Sequence, residues 1–110
     1  MPYIAKELSH FSLREIKAFF KKGMRIYRSD QLDIIALPAG KSFGRILVVT
    51  PRKVGSAPER NRVRRRLKAL FYQKGWYNND ADVCIIIKPA GAHLTSQMLE
   101  SLLQKVLPQI

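Results

Sequence analysis

The stretch Ser56–Phe71, SAPERNRVRRRLKALF, constrains the fold more than any other part of the chain. Its apolar residues recur at i, i+4, i+7 and i+8, which predicts a helix with one buried stripe made of Val63, Leu67, Leu70 and Phe71. Ser56 and Glu59 fit the S-x-x-E capping box, and Gly75 supplies a stop. The helix is therefore predicted from about Ala57 to Lys74, and its stripe must pack against another apolar surface.

The face opposite this stripe is almost wholly cationic, because Arg65 and Lys68 lie there with Asn61, and Arg62 lies beside them. Arg64 and Arg66 flank the stripe, and Arg60 leans toward it in the first turn. Six of the nine residues from position 60 to 68 are basic, namely Arg60, Arg62, Arg64, Arg65, Arg66 and Lys68. With Arg52 and Lys53 upstream and one acid, residues 52–68 hold a net +7 of the chain's +12. Five like-charge neighbours at i+3 or i+4 cost about 0.2–0.5 kcal/mol each, or roughly 1–2.5 kcal/mol together. Folding gives no reason for this cost, so the face is predicted to bind nucleic acid. Asn61 adds a neutral group that can contact a phosphate, a 2′-OH or a hydrated metal ion.

The composition indicates a small globular protein with a polyanionic partner. The chain has 110 residues and is 46% hydrophobic, which suits one domain with a modest core. Its 20 Lys and Arg against 8 Asp and Glu favour nucleic acid or an acidic membrane. No apolar run approaches the roughly 18 residues of a spanning helix, and the start MPYIAKELSHF is not a secretory signal. The single Cys84 excludes an internal disulfide, so a cytoplasmic protein is predicted.

The segment SLREIKAFFKKG predicts a first helix. Ser12 and Glu15 form a second capping box, Gly23 ends the helix, and the predicted apolar stripe consists of Leu13, Ile16 and Phe20. Phe19 and Phe20 point about 100° apart, so both cannot lie centrally on one narrow stripe. Aromatic side chains on such helices usually pack in the core. If one of these two rings does so, the other can line a groove where a single-stranded base could stack.

Apolar runs predict the strands that complete the fold. DQLDIIALPA alternates, with Leu32, Ile34 and Ala36 on one face and Asp33, Ile35 and Leu37 on the other. RILVVT contains an apolar run, which indicates that both of its faces are at least partly covered, and DVCIII (Asp82–Ile87) is predicted to be a buried strand. GKSFG is a predicted turn, WYNND a predicted polar loop and KPAGAH a predicted connection. A final helix is predicted to begin after Thr95 and to stop near Pro108, with a stripe of Leu99, Leu102, Leu103 and Val106. The order is helix, two or three strands, helix, strand, helix, which predicts a single α+β domain with a parallel crossover through the basic helix.

The sequence offers no convincing catalytic or metal site of its own. Metal-dependent hydrolysis of phosphodiesters needs clustered carboxylates, whereas the acids here are spread over separate elements: Glu7, Glu15, Asp30, Asp33, Glu59, Asp80, Asp82 and Glu100. His10 and His93 lack a partner signature, Cys84 lies in an apolar strand typical of core, and GSAPERNR is not a phosphate-binding loop. A stand-alone nuclease is therefore the least favoured function.

The stretch RKVGSAPERNRVRRRLKALF resembles the bacterial ribonuclease P protein subunit. The similarity centres on Arg60-Asn61-Arg62, the Arg-Asn-Arg motif of that family, preceded by Arg52, Lys53, Gly55 and Ala57. It extends more loosely over FFKKG in the first helix, CIIIKPA in the last strand and the amphipathic last helix. The alternative from another class is a ribosomal or DNA-architectural protein that uses the same basic helix.

The resemblance implies both a fold and a function. The fold is a helix–strand–strand–strand–helix–strand–helix sandwich over residues 1–110, with its core at about 10–107 and a left-handed crossover where the physical default is right-handed. The function is that of an accessory subunit in a ribonucleoprotein that removes the 5′ leader from precursor tRNA, with catalysis by the RNA and its Mg²⁺ ions. By motif position the expected contacts with the catalytic RNA are Arg52, Lys53, Arg60, Asn61, Arg62, Arg65 and Lys68.

The resemblance also implies a cleft between the first helix and the sheet that receives the single-stranded leader, with Ile16, Lys17 and Phe20 as expected contacts. Ile16 stands where the family often has an aromatic residue, and Ile34 and Ile35 stand where a tyrosine is common. Ser56 replaces a common asparagine, and Pro58 is unusual in the approach to the motif. The cleft is therefore expected to make fewer stacking contacts and to depend more on its lysines.

Overall fold

A four-stranded mixed sheet organises the part of the chain that the computed structural model describes, residues 9–40, 42–78 and 80–107. Its strands are β1 (Met24–Arg28), β2 (Leu32–Pro38), β3 (Ile46–Val49) and β4 (Ala81–Ile87), in the spatial order β1-β2-β4-β3. β2 pairs antiparallel with β1 and β4, whereas β3 and β4 are parallel. The predicted α+β class and parallel crossover are confirmed.

Three α-helices surround this sheet within the described residues: α1 (Leu13–Lys22), α2 (Ala57–Gln73) and α3 (Ser96–Val106). The predicted capping boxes are present at both α1 and α2, since Ser12 pairs with Glu15 and Ser56 with Glu59. The Thr95 hydroxyl accepts from Met98 N at the start of α3, as predicted. The predicted stop at Pro108 lies outside the described residues, as do Glu7, Lys41 of GKSFG and Asn79 of WYNND.

The two faces of the sheet carry different clusters. Because side chains alternate along β2, Leu32 and Ile34 point to one face of the sheet. There they pack with the apolar stripes of α2 and α3 in the main core. All four predicted stripe residues of α2 are buried, and in α3 Leu99 and Leu103 are buried while Leu102 and Val106 pack at the margin. On the opposite face, Ile35 and Cys84 lie beneath Phe19 of α1. The sheet therefore separates α1 from the α2 and α3 layer.

Two predictions about apolar residues were wrong. The stripe of α1 does not face the core, because Leu13 is 68% and Phe20 56% exposed, and Phe19 alone is buried from this helix. WYNND is not a purely polar connection either. It contains a short 3-10 turn, Trp76–Asn78, whose Trp76 side chain is buried in the main core.

Candidate nucleic-acid interface

The start of α2 presents the basic motif to solvent. A 3-10 turn at Arg52–Val54 leads from β3 into the capping box, where Ser56 N lies 2.9 Å from Glu59 Oε1. The donating Ser56 N–H lowers the pKa of Glu59, and its ionised carboxylate suits the positive end of the helix dipole. Arg52 and Lys53 on the turn are both exposed, so they extend the cationic surface of α2 toward the sheet.

The cations of α2 divide into exposed and half-buried groups. Of the seven predicted RNA contacts, five are exposed: Arg52, Lys53, Asn61, Arg62 and Arg65. Arg60 and Lys68 are half-buried, and among the described residues the buried Nε of Arg60 has no hydrogen-bond partner. Burial, and then the neighbouring Arg64 charge, lower the pKa of Lys68. The most accessible part of this surface therefore consists of three guanidinium groups, one ammonium group and one amide.

Two further arginines of this helix are held by the protein itself. Arg66 Nη1 donates to Leu94 O over 2.8 Å, which ties α2 to the segment before α3. Arg64 donates through Nη2 to Thr50 Oγ1 and through Nη1 to Asn61 Oδ1, the latter over 2.8 Å. The sequence placed both arginines beside the apolar stripe but gave them no partner, because helical spacing does not reveal acceptors from distant segments.

A shallow groove of about 490 Å³ runs along this surface, lined by Pro58, Asn61, Arg64, Arg65 and Lys68. Its chemistry is that of an anion site, with one amide and three positive side chains in line along a helix. Arginine forks match phosphate oxygens in pairs, which makes a polyphosphate backbone a suitable ligand. Of the seven predicted RNA contacts, this groove brings together Asn61, Arg65 and Lys68, while Arg52, Lys53, Arg60 and Arg62 are not among its lining residues.

The predicted leader contacts lie on α1 and form a second, separate surface. Phe20 and Lys17 are exposed and Ile16 is half-buried, while Phe19 occupies the core position. The structure thus resolves the choice between the two rings: Phe19 packs 5.5 Å from Phe11, and Phe20 is the ring left in solvent. Ile34 and Ile35 of β2 are buried at 0% and 4% exposure, so neither offers its side chain to a ligand.

An apolar strip of the sheet lies on the same side as α1. Leu47 and Val49 of β3 and Ile86 of β4 pack against the Phe19 cluster and remain half-buried. Asp33 is on this face too, where Lys88 Nζ lies 2.9 Å from Oδ1 and Arg25 Nη1 lies 3.4 Å from Oδ2. This side of the sheet therefore combines half-buried aliphatic groups with two cations at its edge.

The Ribonuclease P family model matches residues 10–110, nearly the whole chain. The chain belongs to the ribonuclease P protein family. Members of this family are protein subunits of the ribonucleoprotein that processes precursor tRNA, so ribonuclease P RNA is the partner that membership implies. The stretch that carries the resemblance, residues 52–71, lies within the matched range.

Solved ribonuclease P proteins share the fold. The Staphylococcus aureus protein has a TM-score of 0.79 at 17% identity, covering 93% of this chain and 94% of that one. The Thermotoga maritima protein has a TM-score of 0.79 at 21% identity, covering 93% and 97%. A mutant of the S. aureus protein, described as defective in mRNA degradation, has a TM-score of 0.81 at 19% identity, covering 97% and 91%. No significant match was found among curated protein sequences.

Sequence analysis missed one polar cluster in this ribonuclease P protein. The Arg45 side chain is buried, and its guanidinium donates to Asp82, to Glu15 and, over 3.0 Å, to His10 O. The same group lies 4.4 Å from the centre of the Phe11 ring. This cluster fastens the start of α1 to the beginnings of β3 and β4, so it helps to set where the ribonuclease P protein holds its first helix.

Most carboxylates in the described part of this ribonuclease P protein are used in ion pairs. No group of three or more His, Cys, Asp or Glu within the described ranges could hold an ion. Glu15 and Asp82 pair with Arg45, Asp33 with Lys88, and Glu100 with Lys74, so these carboxylates already have cationic partners. Cys84 is buried, and burial raises the pKa of its thiol to about 12, as expected of a core residue. In the described part of the chain, no helix is long and apolar enough to cross a membrane.

Proposed function

We propose that this chain binds the catalytic RNA of ribonuclease P through the cationic surface of α2. The exposed guanidinium groups of Arg62 and Arg65, with Arg52 and Lys53 beside them, support this proposal. Binding phosphates there relieves the like-charge repulsion that folding alone leaves unexplained. The half-buried Arg60 and Lys68 contribute at the edge of the same surface, and Asn61 contributes a directional hydrogen bond.

We propose further that the 5′ leader of precursor tRNA binds on the α1 side of the sheet. Phe20 offers an exposed ring on which a base can stack, Lys17 supplies charge, and Ile16 adds apolar contact. The half-buried strip of Leu47, Val49 and Ile86 extends this surface along the sheet. Because α1 and α2 lie on opposite faces of the sheet, one protein molecule can hold the leader and the catalytic RNA at once.

Catalysis is assigned to the RNA component and its Mg²⁺ ions. The support is the donor set of the described residues, in which Glu15, Asp33, Glu59 and Asp82 are used in ion pairs and caps, and no group of three or more His, Cys, Asp or Glu could hold a metal ion. The protein's own contribution is to bind, to orient the substrate and to neutralise phosphate charge. The complex is placed in the cytoplasm, which suits a protein whose one cysteine is a reduced core residue.

Reconstitution tests this assignment directly. Purified protein, RNA transcript and precursor tRNA are combined in all pairwise and complete mixtures, with and without Mg²⁺, and the position of the 5′ cut is mapped. We expect cleavage at the mature 5′ end only where the RNA and Mg²⁺ are present, with the protein improving it. Sustained, site-specific cleavage by RNA-free protein would show a protein-based nuclease instead. Copurification of the chain with ribosomal RNA rather than ribonuclease P RNA would point to an architectural role.

A further inference from the structure

Arg64 joins the surface of α2 to the interior of the protein. Its Nη2 donates to the hydroxyl of Thr50, a residue 8% exposed at the end of β3. Its Nη1 lies 2.8 Å from Oδ1 of Asn61, one helical turn earlier. The buried end of this bridge is fixed by the sheet, so the guanidinium holds the exposed amide in one orientation.

The chemistry of arginine decides which way the Asn61 amide points. A guanidinium donates hydrogen bonds and accepts none, so the Asn61 atom that faces Arg64 must be the carbonyl oxygen. The amide nitrogen then points away from Arg64, and Asn61 is exposed. Asn61 therefore offers two N–H donors to a ligand, while its acceptor is occupied.

The surroundings of Asn61 agree with this polarity. Arg64, Arg65 and Lys68 line the same groove, and all three are positive. An anionic acceptor is attracted by these charges and accepts hydrogen bonds from the amide. A hydrated metal ion would be repelled by the three cations, and the Asn61 oxygen that could bind it already accepts from Arg64. The ligand atom that fits is a non-bridging phosphate oxygen of an RNA backbone.

We propose that Arg64 is a positioning residue, held by Thr50, that fixes Asn61 as a hydrogen-bond donor to an RNA phosphate. This inference rests on the proposed binding of ribonuclease P RNA by α2 and adds the direction of the hydrogen bond. It gives Arg64 a role different from that of Arg62 and Arg65. Those two exposed side chains contact phosphate directly, whereas Arg64 uses two of its nitrogens within the protein.

Four variants test the proposal by measuring the Kd for a ribonuclease P RNA transcript. Asn61→Asp keeps an oxygen for Arg64 but removes the donor and adds a negative charge, so we expect a loss of well over tenfold. Asn61→Ala should lose about tenfold. Arg64→Lys keeps the charge without the planar fork, and Thr50→Val removes the hydroxyl that anchors it; each should lose about three- to tenfold.

The decisive measurement is coupling. In an Asn61→Ala background, Arg64→Lys and Thr50→Val should have little further effect, because the group they position is gone. The log–log salt slope should stay unchanged for both, since neither removes a charge. Circular dichroism checks that each variant is folded. If Thr50→Val does not fold, Arg64→Lys alone is used for the coupling test.

Three outcomes would overturn the inference. Full, additive losses in the Asn61→Ala background, or wild-type affinity in Asn61→Asp, would show that Arg64 does not act through Asn61. In a fifth variant, Arg64→Ala, which removes the charge, a salt slope that falls by about one without coupling would make Arg64 a direct phosphate contact. Both results leave RNA binding by α2 standing. A wild-type protein without salt-dependent affinity for the transcript would instead overturn the proposed function, and this inference with it.

Discussion

Replacing Glu15 by glutamine tests how the buried Arg45 cluster holds α1 on the sheet. The Arg45 guanidinium, and then the Ser12 N–H, lower the pKa of Glu15 from 4.5 to about 2. A shift of this size corresponds to about 3 kcal/mol of stability if fully expressed. The Glu15 side chain is 37% exposed, so solvent screening reduces the expected contribution to about 1–2 kcal/mol. Glutamine can still form the capping box, so the substitution measures the effect of removing the negative charge of Glu15 alone.

The pH dependence follows from the direction of the shift. Because the pKa of Glu15 is lower in the folded state, its contribution is complete above about pH 4.5 and is lost as the pH falls toward 2. Urea unfolding at several pH values should show wild type more stable than Glu15→Gln by about 1–2 kcal/mol at pH 7. That difference in the free energy of unfolding should shrink steadily between pH 4.5 and 2.

Glu59→Gln is the matched control. Glu59 occupies the same capping-box position at α2, but its partners are the Ser56 N–H and the exposed His93 rather than a buried arginine. We expect this variant to lose less stability at pH 7 than Glu15→Gln does. Equal losses in the two variants, or a Glu15→Gln loss that does not change with pH, would refute the assignment to the Arg45 ion pair.

Three shorter predictions concern the two surfaces and the core. If about five phosphates are bound, the log–log salt slope for RNA binding should be near −4. Changing Arg60, Arg62 and Arg65 to alanine should make this slope shallower. The melting temperature of that variant should stay the same or rise, because like-charge repulsion is removed. Phe20→Leu should weaken holoenzyme binding of leader-bearing precursor by about 1–3 kcal/mol and spare mature tRNA; equal losses for both would remove Phe20 from the leader site. Cys84 should resist alkylation at pH 8 until the protein unfolds, because burial raises the pKa of its thiol to about 12; rapid labelling of native protein would contradict this.

The sequence predicted elements whose pattern is regular and missed those where the pattern is broken. The four stripe positions of α2 and both capping boxes follow from spacing alone. Residue patterns left the number of strands before α2 at two or three and gave β1 no range, although the resemblance implied three strands there. The register of β1 shifts between Arg25 and Tyr27, which breaks the alternation by which strands are recognised. Trp76 lies in a turn with polar neighbours, and nothing local shows that the main core extends to it.

The Arg45 cluster could have been inferred in part. RILVVT and DVCIII were predicted to be parallel, and parallel strands begin at the same edge of a sheet. Arg45 and Asp82 therefore start neighbouring strands with opposite charges, and Ile46 indeed pairs with Val83. The contribution of Glu15 could not be foreseen, because the angle at which α1 crosses the sheet is set by tertiary packing of Phe19 and Phe11.

The structure shows which of the like-charge pairs within α2 are offset by hydrogen bonds. Three of the five like-charge neighbours involve Arg64 or Arg66, and both of these donate to oxygens of the protein. Hydrogen bonds from a charged donor contribute about 1.5–3 kcal/mol each, more than the roughly 0.6–1.5 kcal/mol that these three pairs cost. The repulsion left without such an offset is centred on the exposed Arg65, which neighbours Arg62 and Lys68.

This distribution predicts opposite effects for adjacent arginines. Arg65→Ala should raise the free energy of unfolding by about 0.4–1 kcal/mol, because two repulsive pairs disappear and the hydrogen bonds and ion pairs that the structure describes include none from Arg65. Arg64→Ala should lower it by about 1 kcal/mol or more, since the Thr50 and Asn61 contacts go with it. Urea unfolding at low salt and in 0.5 M salt measures both, and the gain for Arg65→Ala should shrink as salt screens the charges. If Arg64→Ala is also stabilising at low salt, its hydrogen bonds do not offset the repulsion and the helix is held against its charge by the apolar stripe alone.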